Sequence, residues 1–342
     1  MARPLHYREH ELAFRTQYAE VKERARSAGR LLPGTPGTLF LRKGTGHPHW
    51  YRVFYATPGK QTEEWVCRDG DTGKLDEAQH AIEFSGWVAA QVAALRKLGF
   101  QVADKAVARV LVELHNQGAF EAGLVLAGTL CFMAWLNELG IRAVSARTQD
   151  VDLARRQPLK LAAPLSFLST LKATGLPFAP VPGMPSAQQS TTVKLPGVQG
   201  LRVDVLAPGN TLGELIQIPE LSWAAQAIPY YDYLLEKPEP AAVLAGGHCV
   251  PVLLPQTARL VWHKLYASLH RRGSPEKAAK DRAQALLLTA VLLEQEPQAL
   301  GKALRAAPPK MVKEIRSSQK LLLRGAAADP ALTNALSDCL SG

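Results

Sequence analysis

The sequence predicts an α+β fold: a mixed sheet with flanking helices, preceded by an N-terminal helix plus a small β-hairpin region and followed by a C-terminal helical region. Three observations predict it. Short runs rich in Val, Leu, Phe, Tyr and Trp, punctuated by Gly and Pro, read as strands. Longer stretches with helical spacing of apolar residues separate them. From residue 256 onward the chain has helical spacing throughout and is rich in Lys and Arg. The pattern divides the chain into an N-terminal helical and hairpin region at 1–118, a sheet-bearing core at 119–255 and basic helices at 256–342.

At 342 residues the chain can bury a large core, and its length suits more than one domain. A hydrophobic fraction of 47% and a charged fraction of 20% are those of an ordinary soluble globular protein. The net charge of +10 points to a polyanionic partner such as nucleic acid or nucleotide, and says nothing about fold. Cys67, Cys131, Cys249 and Cys339 are scattered and form no C-x-x-C. A zinc site or disulfide framework is therefore not expected, and reduced cytosolic thiols are. The opening stretch MARPLHYREHELAFR carries charges throughout and has no apolar segment of the secretory kind. No apolar run reaches membrane-spanning length. The expectation is a cytoplasmic protein with no membrane partner.

The elements follow in order. Residues 5–30 have the spacing of a basic amphipathic helix, which LLPGTPG breaks. The segment GTLFLRKGTGHPHWYRVFYATPGKQTEEWVCRDG reads as a small antiparallel sheet or hairpin. Within it HPHWYRVFY, with Arg42, Lys43 and Arg52, admits two readings. One is a surface that stacks on bases and holds phosphates, the other a half-buried strand with solvated polar positions. His47 and His49 have no partner cluster nearby and are read as loop residues. Two helical patterns follow, ending at Gly99 and at Gly118. EAGLVLAGTLCFMAWLNELGIRAV then gives a short apolar strand, a Gly-Thr turn and an apolar helix ended by Gly140. Backbone N–H groups at such a helix start can meet a phosphate. An ordinary strand–helix turn capped by Thr129 fits the same residues.

RTQDVDLAR follows. If Val151 and Leu153 point into a core, period two places Asp150 and Asp152 together on the other face of a strand. Like charges side by side cost stability unless a cation neutralises them, and a hard divalent ion with oxygen ligands is the usual solution. Residues 164–174 are helical in pattern, and the Pro-rich loop at 176–190 is of the kind that covers or borders a site. TTVKLPGVQGLRVDVLAP reads as a hairpin. In its second strand Leu201, Val203 and Val205 alternate with Arg202, Asp204 and Leu206, so Asp204 lies away from the valines. IPYYDYLLEKP, AAVLAGGHCVPVLLP and QTARLVWHKLYASLHRRG give a short helix, a strand pair and a helix with Lys264, Arg271 and Arg272 spaced to share one face. SPEKAAKDRAQALLLTAVLLEQ starts another helix, with Ser274 as N-cap and Pro275 in first position.

A strand–Gly-Thr–helix, an Asp-x-Asp strand and a later strand with a third Asp, in that order, resemble the DNA polymerase beta-like nucleotidyltransferase superfamily. By this resemblance Gly128 and Thr129 match the phosphate-binding turn, Asp150 and Asp152 the metal-binding pair, and Asp204 the third carboxylate. Over residues 40–325 the likeness extends to a little-characterised bacterial family with the nucleotidyltransferase fold, carried by LAGTLCFMAWLNELGIR, TQDVDLA, LRVDVLAPG, YYDYLLEKPEPA, HKLYASLHRR and KAAKDRAQALLL. Related families include the abortive-infection and Men-type toxin nucleotidyltransferases. These too have a downstream HKL lysine and a later acidic residue, which implies roles for Lys264 and Asp281. Two departures stand out: Thr at position 129 where Ser is commoner, and a long span from Gly128 to Asp150.

The resemblance implies transfer of an NMP from an NTP to an acceptor, RNA, tRNA or a protein hydroxyl, with Mg2+ or Mn2+ as cofactor. Such a reaction concentrates negative charge on phosphorus oxygens, so catalysis is positioning and neutralisation. Asp150 and Asp152 would bridge two ions, and Asp204 would hold the acceptor-side ion or take the acceptor's proton. Lys264 would place a point charge on the triphosphate, with Arg271, Lys280 and Asp281 trimming that pocket. The basic N- and C-terminal regions would contact nucleic acid. The competing reading is a non-catalytic nucleic-acid-binding or partner-binding protein on the same scaffold. A toxin or phage-defence role is a biological context for either.

Overall fold

The computed structural model describes residues 6–43, 46–57, 59–144, 148–183, 188–271 and 273–341. Arg147, Arg272 and residues 184–187 of the Pro-rich loop, all named above, lie outside the described residues. The architecture is the expected α+β one, a mixed central sheet between helices with a separate hairpin sheet before it and helices after it.

The chain opens with β1 (Arg8–Glu9), which pairs antiparallel with Ile141–Arg142, so the first helix is shorter than 5–30. That helix, α1 (Leu12–Ser27), buries Tyr18, Val21 and Ala25 along one stripe. Strands β2 (Thr38–Arg42), β3 (His49–Thr57) and β4 (Lys60–Arg68) form a three-stranded antiparallel sheet in that order. His49 is therefore not a loop residue: it pairs with Arg42 on one side and Arg68 on the other. Arg52 also departs from the reading as a phosphate-facing cation. It is 2% exposed and donates to the carbonyls of Pro33 at 2.8 Å, Thr35 at 2.6 Å and Pro36 at 2.9 Å. The incoming Pro- and Gly-rich segment packs flat on β3, where a Cβ at Gly34 or Gly37 would meet a backbone oxygen at 2.5 Å. Three of its carbonyls share one donor group, the buried Arg52 guanidinium, which supplies several N–H groups at once.

Helices α2 (Thr72–Lys97) and α3 (Lys105–Asn116) stop just before Gly99 and Gly118, where the sequence ends them. The central unit follows: β5 (Val125–Ala127), α4 (Gly128–Glu138), β6 (Ile141–Arg142), β7 (Asp150–Ala154), α5 (Phe167–Ala173), β8 (Ala179–Pro180), β9 (Thr192–Lys194), β10 (Arg202–Pro208), β11 (Leu215–Ile218) and β12 (Trp223–Ile228). The sheet order is β11-β12-β10-β7-β5, with β9 on β10 and β8 on β9. β10 runs parallel to β7 and β12 but antiparallel to β9, its hairpin partner. Val151, Leu153, Val203 and Val205 are fully buried and join side chains of α3 and α4 in one large core.

Beyond the sheet lie α6 (Tyr231–Leu234), β13 (Glu239–Ala245) and β14 (His248–Leu254), the last two forming a hairpin. Period two splits this hairpin between two cores. Ala241, Val243, Val250 and Val252 enter the large one, while Ala242, Leu244 and Cys249 pack with Tyr18 and Val21 of α1 and with Val88, Val92 and Leu95 of α2. Glu138 ties these layers: it accepts from Tyr18 Oη at 2.8 Å, Lys22 Nζ at 2.7 Å and the Ala242 N–H at 2.9 Å. The chain ends in α7 (Thr257–His270), α8 (Pro275–Gln295), α9 (Ala299–Arg305), α10 (Pro309–Ser317), α11 (Gln319–Arg324) and α12 (Pro330–Ser341). Pro275 opens α8 as expected, but Ser274 makes no side-chain cap bond. None of the described helices is long and apolar enough to cross a membrane.

Arg52 gives a test of this account. Arg52→Met keeps the apolar stem and leaves the Pro33, Thr35 and Pro36 carbonyls without their donor. We expect a loss of about 3 kcal/mol in denaturant unfolding, the scale of removing one partner from a buried charged network. A loss below about 1 kcal/mol, the scale of a single ordinary hydrogen bond, would show that the segment is held by other contacts.

Candidate active site

The site begins with strand register. β7 and β10 are paired in parallel with Asp152 opposite Asp204 and Asp150 opposite Arg202. Directly paired residues share a face, so Asp150, Asp152, Arg202 and Asp204 all project away from the buried valines. On the other side of β7, Ala127 of β5 pairs with Asp152, and the chain turns at once into α4. Gly128 makes that turn at φ 68°, and a Cβ there would lie 1.8 Å from Asp152 Oδ2. Position 128 therefore needs glycine twice: for its left-handed backbone and for the carboxylate resting on its α-carbon.

A cavity of about 480 Å³ opens over this face. Gly128, Thr129, Asp150, Asp152, Asp204, Lys264, Arg271, Lys280 and Asp281, the residues singled out from the sequence, all line it. Asp150, Asp152 and Asp204 come from the sheet, and Asp281 and the cations come from α7, α8 and the link between them. Lys264 is 6% exposed and pairs with Asp281 Oδ1 at 3.2 Å, while Arg271 Nε reaches Asp281 Oδ2 at 2.5 Å. Burial works against the Asp281 charge, but Lys264 and Arg271 outweigh it and hold the carboxyl below its usual range. Arg271 reaches Asp281 because α7 stops at His270; it does not share a helical face with Lys264.

Thr129 does not cap α4. The N-cap position is Ala127, and the Thr129 hydroxyl, buried, accepts from Lys280 Nζ at 3.1 Å. Lys280 is thereby drawn to the start of α4, where burial lowers its pKa. Asp152 sits in the opposite imbalance. Burial, then Asp204 and Asp150, push its carboxyl up to about 6 against the pull of Lys264 and Lys280. Asp204 is compensated locally: Arg202 Nε lies 2.9 Å from both of its oxygens, and the Thr192 hydroxyl donates to it. Among the described residues no group of three or more His, Cys, Asp or Glu is gathered closely enough to hold a metal ion. The Asp204 carboxylate is instead engaged by Arg202 and Thr192.

Sequence reasoning left out several residues on this wall. Arg202 was within reach, since it stands two positions before Asp204 on the same strand face. Thr192 is not readable in that way, because only the hairpin register sets it opposite Asp204. His263, directly before Lys264, and Tyr231 also line the cavity and meet edge to face at 5.1 Å.

Residues 105–308 match the model of a family described as nucleotidyltransferase, and the chain belongs to that family. The match starts with α3 and runs past α9, so it contains the Gly128 turn, the three aspartates and the cations of α7 and α8. No curated protein matches the chain.

His263 supplies a pH test of this wall. It is buried, its Nε2 donates to the Pro229 carbonyl at 3.2 Å, and its pKa falls to about 4 through burial, with Lys264 and Arg271 adding to the effect and Asp281 opposing it. A folded pKa below the unfolded one means stability is intact above pH 6.5 and is lost as pH falls toward 4. Between pH 7.5 and 5 this one group should remove about 2 kcal/mol. His263→Gln keeps a donor without a titrating ring, so it should unfold with that much less dependence on pH. Identical pH profiles for the two proteins would mean that His263 is not held neutral.

Proposed function

We propose that the chain is a metal-dependent nucleotidyltransferase that moves an NMP from an NTP to an acceptor hydroxyl on RNA, tRNA or a protein. The observation that carries this reading is the opposition across one cavity: three same-face carboxylates from β7 and β10 against Lys264, Lys280 and Arg271. A triphosphate needs cations, and a divalent ion needs carboxylate oxygens. The acidic wall offers hard oxygen donors on neighbouring strands and no cysteine, which suits Mg2+ or Mn2+. Asp150 and Asp152 would hold the metal, with Asp204 joining once Arg202 lets go of it. Bound there, the metal would neutralise phosphate charge and make the acceptor hydroxyl easier to deprotonate.

The chain's own residues account for the rest. Lys264 and Arg271 are pinned by Asp281 and would meet the triphosphate without reorganising. Lys280 and the α4 N-terminus would take a further phosphate oxygen. In the transfer the acceptor oxygen bonds to the α-phosphorus as the α–β bridging bond breaks, pyrophosphate leaves, and Asp204 takes the hydroxyl proton. The relation to abortive-infection and Men-type enzymes belongs to the same proposal. It predicts growth arrest on expression, absent for Asp150→Asn.

The test uses α-labelled NTPs, magnesium and a total extract of RNA and protein. Transfer of label should fall about a thousandfold in Asp150→Asn and Asp152→Asn. Two measurements without turnover accompany it. Magnesium or manganese should raise the melting temperature of the native chain but not of the double variant. Without metal, Asp152→Asn should unfold later than the native chain, because it removes one of three repelling charges. Full label transfer by the double variant would overturn the proposal. No transfer with any NTP, together with nucleic-acid binding that survives loss of the aspartates, would favour the non-catalytic reading.

A further inference from the structure

The β2–β3–β4 sheet carries a feature that the proposed reaction does not use. Phe40 pairs with Tyr51, and Tyr51 pairs with Trp65, so three rings cross the sheet in one row. Tyr55 stands two alternations further along β3, with its partner Gln61 in unbroken register from Tyr51, and so faces the same way. Phe40 and Trp65 are each 53% exposed and Tyr55 is 50% exposed. They are the exposed large aromatic side chains among the described residues, and all of them are on this face. The opposite face is closed, with Arg52, Phe54 and Cys67 buried against the body. Exposed rings cost solvation free energy, and a row of them marks a contact surface more than a lone ring does.

The charges on the face say which contact. Arg42 lies 4.9 Å over the Tyr51 ring, held there by Glu63, which pairs with Val53 one alternation further along the same face. Arg68 is exposed on the same face, paired with His49, and Lys43 and Lys60 are exposed at strand ends. Flat rings in the middle and cations at the margins match a strand of nucleic acid, whose bases stack while its phosphates run along the edges. Adjacent strands lie about 4.8 Å apart, so the row spans roughly 10 Å, room for about two or three bases. A duplex keeps its base faces inside the helix and cannot use the rings. We infer that the outer face of this sheet binds single-stranded nucleic acid through Phe40, Tyr51, Tyr55 and Trp65, with Arg42 and Arg68 meeting phosphates. The inference goes beyond the proposed transfer reaction and does not depend on it.

The full chain, titrated against a short fluorescent oligouridylate, the matching DNA strand and an RNA duplex, decides the matter by anisotropy. Single strands should bind and the duplex should not compete. Trp65→Ala and Phe40→Ala should each weaken binding about tenfold. Both side chains are exposed, so the melting temperature should not move. Arg42→Gln should lower the slope of affinity against salt. Preference for RNA over DNA, or equal affinity, supports the face and identifies its ligand. Aromatic variants that bind as tightly as the native chain would overturn the inference, as would a preference for duplex. So would a dimer in sedimentation that Trp65→Ala dissolves, which would assign the face to a second copy of the chain. Asp150→Asn should bind strands like the native chain. Loss of label transfer with binding intact, or the reverse, therefore separates this inference from the proposed reaction.

Discussion

Parallel pairing of β7 with β10 sets Asp152 beside Asp204 and, on the far side of Asp152, Asp150 one alternation away. The pairing follows from burial, since Val151 and Leu153 must enter the same core as Val203 and Val205. Once the valines are inside, the aspartates are forced onto a common face, and a one-residue slip of either strand would bury carboxylates instead. Their repulsion is thus a consequence of packing that the core cannot relieve. It is met partly within the sheet, by Arg202 and Thr192 at Asp204, and partly from outside it, by Lys264 of α7 and Lys280 of α8 at Asp152.

The compensation is graded. Asp204 is met within its own hairpin by Arg202 and Thr192. Asp152 is met only at longer range by Lys264 and Lys280, and its carboxyl stays well above the ordinary range. Asp281 explains why Lys264 does not simply collapse onto Asp152. It binds Lys264 and Arg271 at once, so α7 and α8 present charges already fixed in position. A buried ion pair of this kind contributes little net stability, because desolvation opposes it, but it fixes geometry. The wall opposite the acids is therefore pre-organised for an anion and under-neutralised toward the sheet, the electrostatic condition that the proposed reaction requires.

Much of this could be read from residues alone, and the remainder shows what a linear pattern omits. Alternation within DVDLA and LRVDVLAP was enough to place Asp150, Asp152 and Asp204 opposite buried valines, because strand facing depends only on parity. Helix ends at Gly99, Gly118 and Gly140 were equally local. What failed was long-range. Arg52 looked like one more cation on an aromatic strand, and only the packing of the segment at 33–37 shows that its charge answers backbone carbonyls there. Arg271 fitted a helical face by spacing, but α7 ends one residue earlier and the side chain turns to α8. Thr129 looked like a cap because Thr after a strand often is one. Lys280, about half the chain away in sequence, claims its hydroxyl instead.

Gly128 joins these levels. It ends β5, begins α4 and lies under the Asp152 carboxylate, with no room for a Cβ between them. The approach brings Asp152 to the positive end of α4, where unpaired backbone N–H groups favour negative charge. In the proposed reaction this helix start is also where a phosphate would be received. Lys280, tied to Thr129 at that point, adds positive charge beside Asp152. Glycine at 128 is needed for the turn, but the consequence is electrostatic: it sets one carboxylate, one lysine and one helix terminus within reach of a single ligand.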